Sequence, residues 1–447
     1  MMVMTNNYNQ LLRQALVYAE EYLTLSAERE IYPDPASLNK LTHLDESLPT
    51  ESTNEFEVLA AIHELACATT VMQNSGRYFG YVIGSLLPIA HAVGWLNDTY
   101  NQNSALYQMS PFGGAIENIT QKWLNELFEL DENCVTGFVS GSSTATLCAL
   151  SIALYNIITN HDETKLQLII SEQAHATIFK ALKILNFKEN NIIKVPCDSY
   201  GRLKVEMLPP LDENSIVVIQ AGNLNGGAVD DIAAVCHLAK QAQAWVHIDG
   251  AFGMWAGVSP KYKPLFKGLE QADSYALDAH KTLNAGYSCG LIICKHETLF
   301  KETMQTTASF INPAEPRNNM SYTPEMSKRN RALLVYASLK QLGKKGLVRM
   351  IEQLGVMAEY MAQELKKHGL TIINEVCFNQ FMFYYQNDEQ TKKLLNIINE
   401  SGQCFFSGNI FNEHFIIRVS VCSYKTDKEA VAQTVKVVAA SLAKLAK

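Results

Sequence analysis

Residues 215–249 read SIVVIQAGNLNGGAVDDIAAVCHLAKQAQAWVHID, in which two short apolar runs flank a longer segment with helical spacing. The runs SIVVIQ and WVHID are typical of buried strands, and the pattern across 230–243 indicates a helix. Strands that alternate with covering helices are typical of a mostly parallel sheet with helices on both faces. This stretch therefore predicts an α/β fold.

The same alternation extends toward the N-terminus. The segments LQLIIS and NIIKV and the apolar run before Gly141 predict further strands, while 143–158 and 176–186 have helical spacing. We therefore predict a mostly parallel central sheet flanked by helices. Ligands of such sheets gather at the C-terminal ends of the strands, so functional residues are expected there.

Both ends of the chain differ from this central pattern. Residues 1–75 predict an N-terminal helical arm, because LLRQALVYAEEYL and FEVLAAIHELACATTVM place apolar residues at helical spacing. Residues 76–330 form the predicted large α/β domain, which closes with a long surface loop at 303–330. Residues 331–447 predict a smaller C-terminal α+β domain. Its expected elements are helices at 331–367, strands near 371–385 and 414–422, and a helix from 427.

The composition narrows the possible partners and compartment. The chain has 447 residues, a formal net charge of −8 and a pI near 5.8, so no basic field is available for nucleic acid. No run reaches the roughly 18 apolar residues that span a bilayer, and the polar start MMVMTNNYNQ does not resemble a secretory signal. Ten cysteines without a Cys-x-x-Cys pair favour reduced thiols over disulfides or a metal site. We expect a cytoplasmic protein without a membrane or nucleic-acid partner.

An acid and an amine stand near two successive strand ends. Asp249 closes WVHID and is followed by GAFG, and the segment ALDAHKTLNAGYSCG contains the adjacent pair His280 and Lys281. Pyridoxal phosphate needs a lysine amine for an imine and a carboxylate that keeps its ring nitrogen protonated. Ala251 is small enough to lie beneath the ring. The alternative is that Asp249 caps a strand and Lys281 is a surface lysine.

Two further strand ends offer groups that such a cofactor requires. His175, in SEQAHATIFKALKIL, follows a strand and is a candidate for stacking on the ring and for proton transfer, or else a structural residue. In TGFVSGSSTATLCALSIAL a helix begins near Ser143, and its free amides with the hydroxyls of Ser142 and Ser143 form a potential phosphate site. The alternative there is an ordinary serine N-cap.

These groups occur in one order along the chain, and from about residue 70 onward the sequence resembles the group II amino-acid decarboxylases. This family has the aspartate-aminotransferase fold, known as fold type I, and includes glutamate, tyrosine and aromatic amino-acid decarboxylases. The matching stretches include RYFGYVIGSLLPIA, SPFGGAIENITQKWLNELF, GFVSGSSTATLCAL, HIDGAFG, ADSYALDAHKTLN and IRVSV.

The resemblance implies a role for each cofactor residue. Lys281 would form the imine, Asp249 would hold the ring nitrogen, Ala251 would lie under the ring and His175 would stack on it. In QAGNLNGGAVDDI an asparagine would replace the threonine with which relatives contact the cofactor. The residues implied at or near the phosphate are Ser142, Ser143, Asp278 and His280, and the two candidate asparagines are Asn223 and Asn225.

The resemblance also implies substrate and proton-transfer residues. Relatives carry a loop tyrosine that returns a proton to the substrate carbon, and Tyr322 is the candidate here, unless it is only an exposed loop residue. Arg418, in FIIRVSV, would bind a substrate carboxylate or pair with a structural acid. Phe79 and Tyr81, in RYFGYV, would line the substrate site or pack in the core.

By this resemblance the chain is a pyridoxal-phosphate-dependent homodimer that converts an L-amino acid to an amine and carbon dioxide. Many relatives have proline before and tryptophan after the His-Lys pair, where this chain has Ala279 and Thr282. Transamination, aldehyde formation and carbon–carbon cleavage therefore stay open as alternatives. A non-catalytic scaffold is disfavoured because Lys281 and Asp249 are both present.

Overall fold

The structure is a computed structural model that describes residues 4–45, 47–306 and 315–446. The first strands are β1 (Val135–Val139), β2 (Gln167–Ser171), β3 (Ile192–Val195), β4 (Ser215–Gln220), β5 (Trp245–Asp249), β6 (Ser274–Asp278) and β7 (Gly290–Cys294). Four more follow: β8 (Thr371–Ile372), β9 (Gln380–Tyr384), β10 (Ser407–Phe411) and β11 (His414–Ser420). The helices are α1 (Met4–Glu28), α2 (Pro35–Asn39), α3 (Glu55–Thr69), α4 (Pro88–Tyr100), α5 (Pro111–Phe128), α6 (Ser142–Asn160), α7 (Ala176–Ile184), α8 (Ile232–Ala242), α9 (Glu297–Met304), α10 (Ala332–Lys367), α11 (Asp388–Glu400) and α12 (Lys428–Leu445).

The central sheet has seven strands in the order β1-β7-β6-β5-β4-β2-β3. Strand β7 runs antiparallel to its neighbours β1 and β6, and the other pairs are parallel. Every residue of β4 and β5 is buried, as expected for strands covered by helices on both faces. The predicted α/β fold with a mostly parallel sheet is confirmed.

The strand order brings several chain segments to one edge of this sheet. Gln220 and Asp249, which end β4 and β5, are paired in register, and β6 ends nearby at Asp278. Strand β1 runs in the same direction as β6, since both are antiparallel to β7, so α6 also begins at this edge. Several of the functional residues predicted from the sequence, among them Ser142, Asp249 and Lys281, lie at or just after these strand ends.

Helix α6 is the one helix among the described residues that is long and apolar enough to cross a membrane by length and composition. It packs against β6, β7 and α7, and its buried side chains include Cys148, Leu150 and Ile152. The apolar character of α6 is therefore that of a core helix.

The C-terminal part contains a second, antiparallel sheet in the order β10-β11-β9-β8. Strand β10 and helix α11 were not predicted, because β10 reads SGNIF without a clear apolar run and α11 is mostly polar. The apolar core is continuous between the two sheets, since one cluster includes Val217 of β4 and Phe381 of β9. The division into 1–75, 76–330 and 331–447 stays a prediction.

The predicted surface loop at 303–330 is only partly exposed in its described part, while residues 307–314 lie outside the described residues. Arg317, Tyr322 and Lys328 are all buried. Lys328 Nζ lies 2.8 Å from Glu117 Oε1, and Arg317 Nη2 lies 3.5 Å from Glu117 Oε2. Two of the charges that suggested a surface segment, Arg317 and Lys328, are thus paired with a buried acid of α5.

We predict that Glu117→Gln lowers the free energy of unfolding by about 3–5 kcal/mol, because Lys328 would stay buried without a counterion. The control is Glu126→Gln, which breaks the exposed pair between Glu126 and Lys344 and should cost at most about 1 kcal/mol. Urea denaturation of both variants measures the difference. Equal losses in the two variants would contradict the role given to the buried pair.

Candidate active site

A cavity of about 410 Å³ lies at the C-terminal edge of the central sheet. Its walls come from both sheets and from the segment before α4. The residues that line it and were predicted as site residues are Tyr81, Ser142, His175, Asp249, Ala251, Lys281 and Arg418. The other lining residues are Val82, Thr177, Gln220, Gly222, Leu224, Phe252, Gly408 and Asn409.

Asp278 connects Lys281 to the start of α6. Its side chain is almost fully buried, and Oδ2 lies 3.0 Å from Lys281 Nζ. The Ser142 amide donates to Asp278 Oδ1 at 2.5 Å and the Ser142 hydroxyl donates to Oδ2 at 2.6 Å. His280 lies behind this group, with Nε2 3.6 Å from Asp278 Oδ1 and Nδ1 2.8 Å from the Cys289 carbonyl. Asp278 and His280 thus do not line the cavity themselves, but Asp278 holds the lining residues Ser142 and Lys281 in place.

The turn that carries Lys281 is fixed by the stretch RYFGYVIGSLLPIA. Gly84 packs against the backbone carbonyl of Lys281, where a Cβ atom would overlap the oxygen. Asn284 Oδ1 accepts a hydrogen bond from the Ser85 amide at 2.7 Å, and Asn284 has a left-handed φ of 56°. The lysine therefore projects from a rigid turn whose shape excludes a larger residue at position 84.

Asp249 is a buried carboxylate at the end of β5. Its Oδ1 accepts a hydrogen bond from the Ala251 amide at 3.2 Å, and among the described residues it forms no ion pair within 4.0 Å. Burial raises the pKa of Asp249, while the nearby His175 and Lys281 oppose that rise. A cationic N–H group bound in the cavity would therefore stabilise the ionised form of Asp249 and donate a hydrogen bond to it.

His175 is the N-cap of α7, and this role defines its protonation. Its Nδ1 accepts a hydrogen bond from the Thr177 amide at 3.2 Å and lies 2.8 Å from the Thr177 hydroxyl. Because a backbone amide can only donate, Nδ1 carries no proton and the neutral ring has its proton on Nε2. Burial lowers the pKa of His175, and the helix N-terminus also disfavours a cation there. His175 thus presents a neutral N–H donor.

Arg418 reaches the cavity from β11. It is 5% exposed, and Nη1 donates to the Leu224 carbonyl at 3.0 Å. Its Nε atom has no hydrogen-bond partner, and no carboxylate of the described residues lies within 4.0 Å of the guanidinium. Burial lowers the pKa of Arg418 to about 10, so the group is still charged at neutral pH. The alternative prediction was that Arg418 pairs with a structural acid, and no acid in the described part of the chain does so.

The two candidate asparagines lie outside the cavity and correct the prediction that they contact a cofactor. Asn223 Nδ2 donates to the Tyr200 carbonyl at 2.8 Å, and its Oδ1 accepts from the amides of Gly226 and Gly227. Asn225 Oδ1 accepts from Asn409 Nδ2 at 2.6 Å. Both side chains are used to close and hold the loop after β4. The cavity residue at the end of β4 is Gln220, which the sequence reasoning missed.

Phe79 and Ser143 also lie away from the cavity lining. Phe79 is fully buried and stacks on Phe406 at a ring distance of 5.5 Å, so its role is core packing. Ser143 is exposed in the first turn of α6, next to the lining residue Ser142. Tyr81, by contrast, lines the cavity and is largely exposed.

The structure places Tyr322 in the core of its own chain. Its hydroxyl donates to Glu297 Oε1 at 2.8 Å, its ring packs against Phe300, and the guanidinium of Arg317 lies 4.3 Å from the ring centre. The tyrosine lies under α9 rather than on an exposed loop, because its hydroxyl and its ring face both have partners there. We therefore assign Tyr322 a structural role, which corrects its predicted place in proton transfer.

The departures from the family pattern beside Lys281 lie outside the cavity as well. Ala279 is fully buried, and the Thr282 hydroxyl donates to the Phe252 carbonyl at 2.7 Å. Both residues therefore act through packing and backbone contacts. They give no specific reason to prefer transamination, aldehyde formation or carbon–carbon cleavage.

The site described above fits the family whose sequences this chain matches. Residues 35–386 match the family described as pyridoxal-dependent decarboxylase conserved domain. An aromatic-L-amino-acid decarboxylase of Bacillus atrophaeus is 25% identical over 88% of this chain and 86% of the relative. An L-2,4-diaminobutyrate decarboxylase of Rhizobium meliloti is 30% identical over 57% of this chain and 53% of the relative.

Solved structures share the fold. The crystal structure of Oryza sativa TDC with PLP and tryptamine superposes with a TM-score of 0.91 at 18% identity and covers 100% of both chains. The crystal structure of mouse CSAD gives a TM-score of 0.88 at 19% identity, with 98% and 99% of the two chains covered. The chain belongs to the pyridoxal-dependent decarboxylase family, and its reaction is the pyridoxal-phosphate-dependent decarboxylation of an amino acid.

The residues present fit pyridoxal phosphate. Gln220 and Arg418 both line the cavity, and Gln220 Nε2 and Arg418 Nε are buried donors without a hydrogen-bond partner in the described residues, so the lining has hydrogen-bonding capacity that these residues leave unused. Lys281 supplies an amine and Asp249 supplies an acceptor for a ring N–H. When bound, pyridoxal phosphate supplies a ring that accepts the electrons released with carbon dioxide.

We predict that Tyr322→Phe leaves kcat within about twofold of wild type, since the hydroxyl is bonded to Glu297 rather than directed to the cavity. Loss of this hydrogen bond should lower the free energy of unfolding by about 1 kcal/mol. Steady-state kinetics and urea denaturation on the same preparation separate the two effects. A large fall in kcat with unchanged stability would contradict the structural role and show that the Tyr322 hydroxyl takes part in the reaction.

Proposed function

We propose that this chain decarboxylates its amino acid in the cavity around Lys281, with the lysine amine linked to the cofactor aldehyde. The observation that carries the proposal is the meeting of Lys281, Asp249 and Arg418 around one cavity. Each offers a different function: a nucleophilic amine, an acceptor for the ring nitrogen, and a cation with no acid partner among the described residues. Together these three groups can hold an amino acid beside the cofactor.

The other cavity residues complete the binding of the cofactor. Asp249 keeps the ring nitrogen protonated, and Ala251 leaves room for the ring above the strand end. His175 covers the ring, and its neutral imidazole presents Nε2–H as a hydrogen-bond donor. Ser142, which lines the cavity, and the free amides at the start of α6 bind the phosphate, and Ser143 lies one residue further along the helix.

Arg418 binds a carboxylate of the substrate. A buried guanidinium gains most from a charged partner that replaces its lost hydration, and bidentate pairing is the usual geometry. The lining also contains the apolar residues Val82 and Phe252, which keep water away from the reacting group. The substrate is therefore an L-amino acid whose carboxylate is held from the β11 side.

The chain acts as a homodimer in the cytoplasm. A set of large apolar side chains is exposed on the first helices, and a second copy of the chain would bury them. They are Leu12, Leu16, Val17 and Leu23 on α1, Val58 and Ile62 on α3, and Trp95 and Leu96 on α4. All ten cysteines are free thiols, which favours a reducing compartment. The formal net charge of −8 disfavours a nucleic-acid partner.

The experiment is an assay for carbon dioxide and amine with each standard L-amino acid in the presence of pyridoxal phosphate. We expect equimolar gas and amine from one class of substrate, and at least about 10³-fold less from Lys281→Ala, because the cofactor would lose its covalent attachment. Keto acid formation with pyruvate and no gas would exclude the proposal. Aldehyde in place of amine would favour the alternative reaction.

The same assay with Arg418→Leu reports what this arginine binds. If it holds the α-carboxylate, KM rises for every substrate by about 10- to 100-fold, corresponding to one lost charged pair. If it holds a side-chain carboxylate, only acidic substrates are affected. Arg202→Leu is the control, since Arg202 pairs with Asp198 at an exposed site and should change nothing. An unchanged KM for all substrates would contradict carboxylate binding.

A further inference from the structure

Strand β10 places Asn409 in the cavity wall beside Arg418. The strands β10 and β11 are antiparallel, and Ser407 is the register partner of Arg418. Because side chains alternate between the two faces of a strand, Asn409 points to the same face as Ser407 and Arg418. Both Asn409 and Arg418 line the cavity. Diagonal neighbours of this kind are roughly 7 Å apart, so the two groups can contact different parts of one small molecule.

The side-chain amide of Asn409 is oriented by a row of hydrogen bonds. Its Nδ2 donates to Asn225 Oδ1 at 2.6 Å, and Asn225 Nδ2 donates to Gln173 Oε1 at 3.4 Å. The nitrogen of Asn409 is therefore already used, whereas its Oδ1 accepts no hydrogen bond from the described residues. The half-buried side chain of Asn409 thus offers an acceptor to a molecule in the cavity.

The charges of the cavity restrict the side chain of the substrate. The charged groups in the lining are Asp249, Lys281 and Arg418, while His175 is neutral. In the proposed function Asp249 meets the ring nitrogen, Lys281 holds the cofactor and Arg418 holds the substrate carboxylate. No charged group of the lining is then left for a charged side chain, and a charge without a partner is costly to bury. An uncharged side chain is therefore favoured.

We propose that the substrate is an L-amino acid whose uncharged side chain ends in an O–H or N–H donor, and that this donor bonds to Asn409 Oδ1. The inference rests on the proposed function, because it requires the cofactor at Lys281 and the substrate carboxylate at Arg418. Asn409 then selects among substrates without taking part in the reaction itself. An analogue that lacks the donor leaves this acceptor without its hydrogen bond, and a site built for such a bond rejects the analogue for that reason.

The first test compares kcat/KM for two substrates that differ only in the donor. One is the best donor-bearing substrate found by the carbon dioxide assay, and the other is its analogue without the donor, such as L-phenylalanine for L-tyrosine. We expect wild type to prefer the donor-bearing member by about tenfold, which corresponds to one net hydrogen bond. Asn409→Leu should remove this preference by lowering kcat/KM for the donor-bearing member alone. An equal fall for both members would show a structural role and overturn the inference.

Asn409→Asp tests the same contact by changing the charge of the acceptor. The variant keeps an oxygen that can accept from the donor, and it adds a partner for a cationic side chain. We expect it to retain the preference of wild type and to raise kcat/KM for L-ornithine by at least about tenfold, since hydrogen bonds between charged groups are about twice as strong as neutral ones. No gain with L-ornithine would contradict the contact between Asn409 and the substrate side chain.

The matched control is Asn160→Leu. Asn160 also donates from Nδ2 to the Oδ1 of another asparagine, Asn156, at 3.0 Å, but it lies at an exposed position of α6 outside the cavity lining. It should leave kcat/KM for both members of the substrate pair unchanged.

The outcomes separate the inference from the proposed function. Wild-type enzyme that decarboxylates only acidic, basic or donor-free amino acids would overturn the inference and leave the proposed function intact. Wild-type protein that releases no carbon dioxide from any amino acid would overturn the proposed function itself. If Asn409→Leu fails to fold, as judged by circular dichroism, Asn409→Asp with L-ornithine decides, because the aspartate keeps the size of the native side chain.

Discussion

The cavity depends on one buried carboxylate, that of Asp278, which joins two segments distant in sequence, the start of α6 and the turn after β6. It accepts two hydrogen bonds from Ser142 at the start of α6 and lies 3.0 Å from the amine of Lys281. A buried charge of this kind is tolerated only when donors and a counterion surround it. Asp278 therefore requires that the helix start and the lysine turn stay together, and this arrangement positions the amine at the edge of the sheet.

The remaining groups follow from the parallel strands that end at this edge. Asp249 and Gln220 are neighbours because β4 and β5 are paired in register, and His175 joins them because it caps the helix that follows β2. The side chains of these three residues are buried or half-buried and form few hydrogen bonds within the described part of the chain. In the proposed function, the free energy lost by burying such unpaired groups is recovered when a cofactor and a substrate carboxylate occupy the cavity.

Much of the central sheet and of the cavity could be predicted from the sequence. Periodic apolar runs indicate buried strands and helices, and the polar residues that follow such runs lie at the edge of the sheet. The strands SIVVIQ and WVHID, the helix after Ser142, and the positions of Lys281, Asp249 and His175 at one cavity follow from such local signals, whereas Arg418 was predicted only from the family resemblance. Gln220 was missed because a polar residue at the end of an apolar run reads as a boundary. Tyr322 and the asparagines after β4 were misplaced because their partners, such as Glu297 and Tyr200, are distant in sequence or come from another element.

The central claim is that the amine of Lys281 carries the cofactor. Its most direct measurement is borohydride reduction of the protein loaded with pyridoxal phosphate, followed by proteolysis and mass spectrometry of the peptides. We expect one modified peptide, the one that contains Lys281, with the mass of the reduced cofactor attached to that lysine. Modification of a different lysine, or of none while the protein still releases carbon dioxide, would contradict the account.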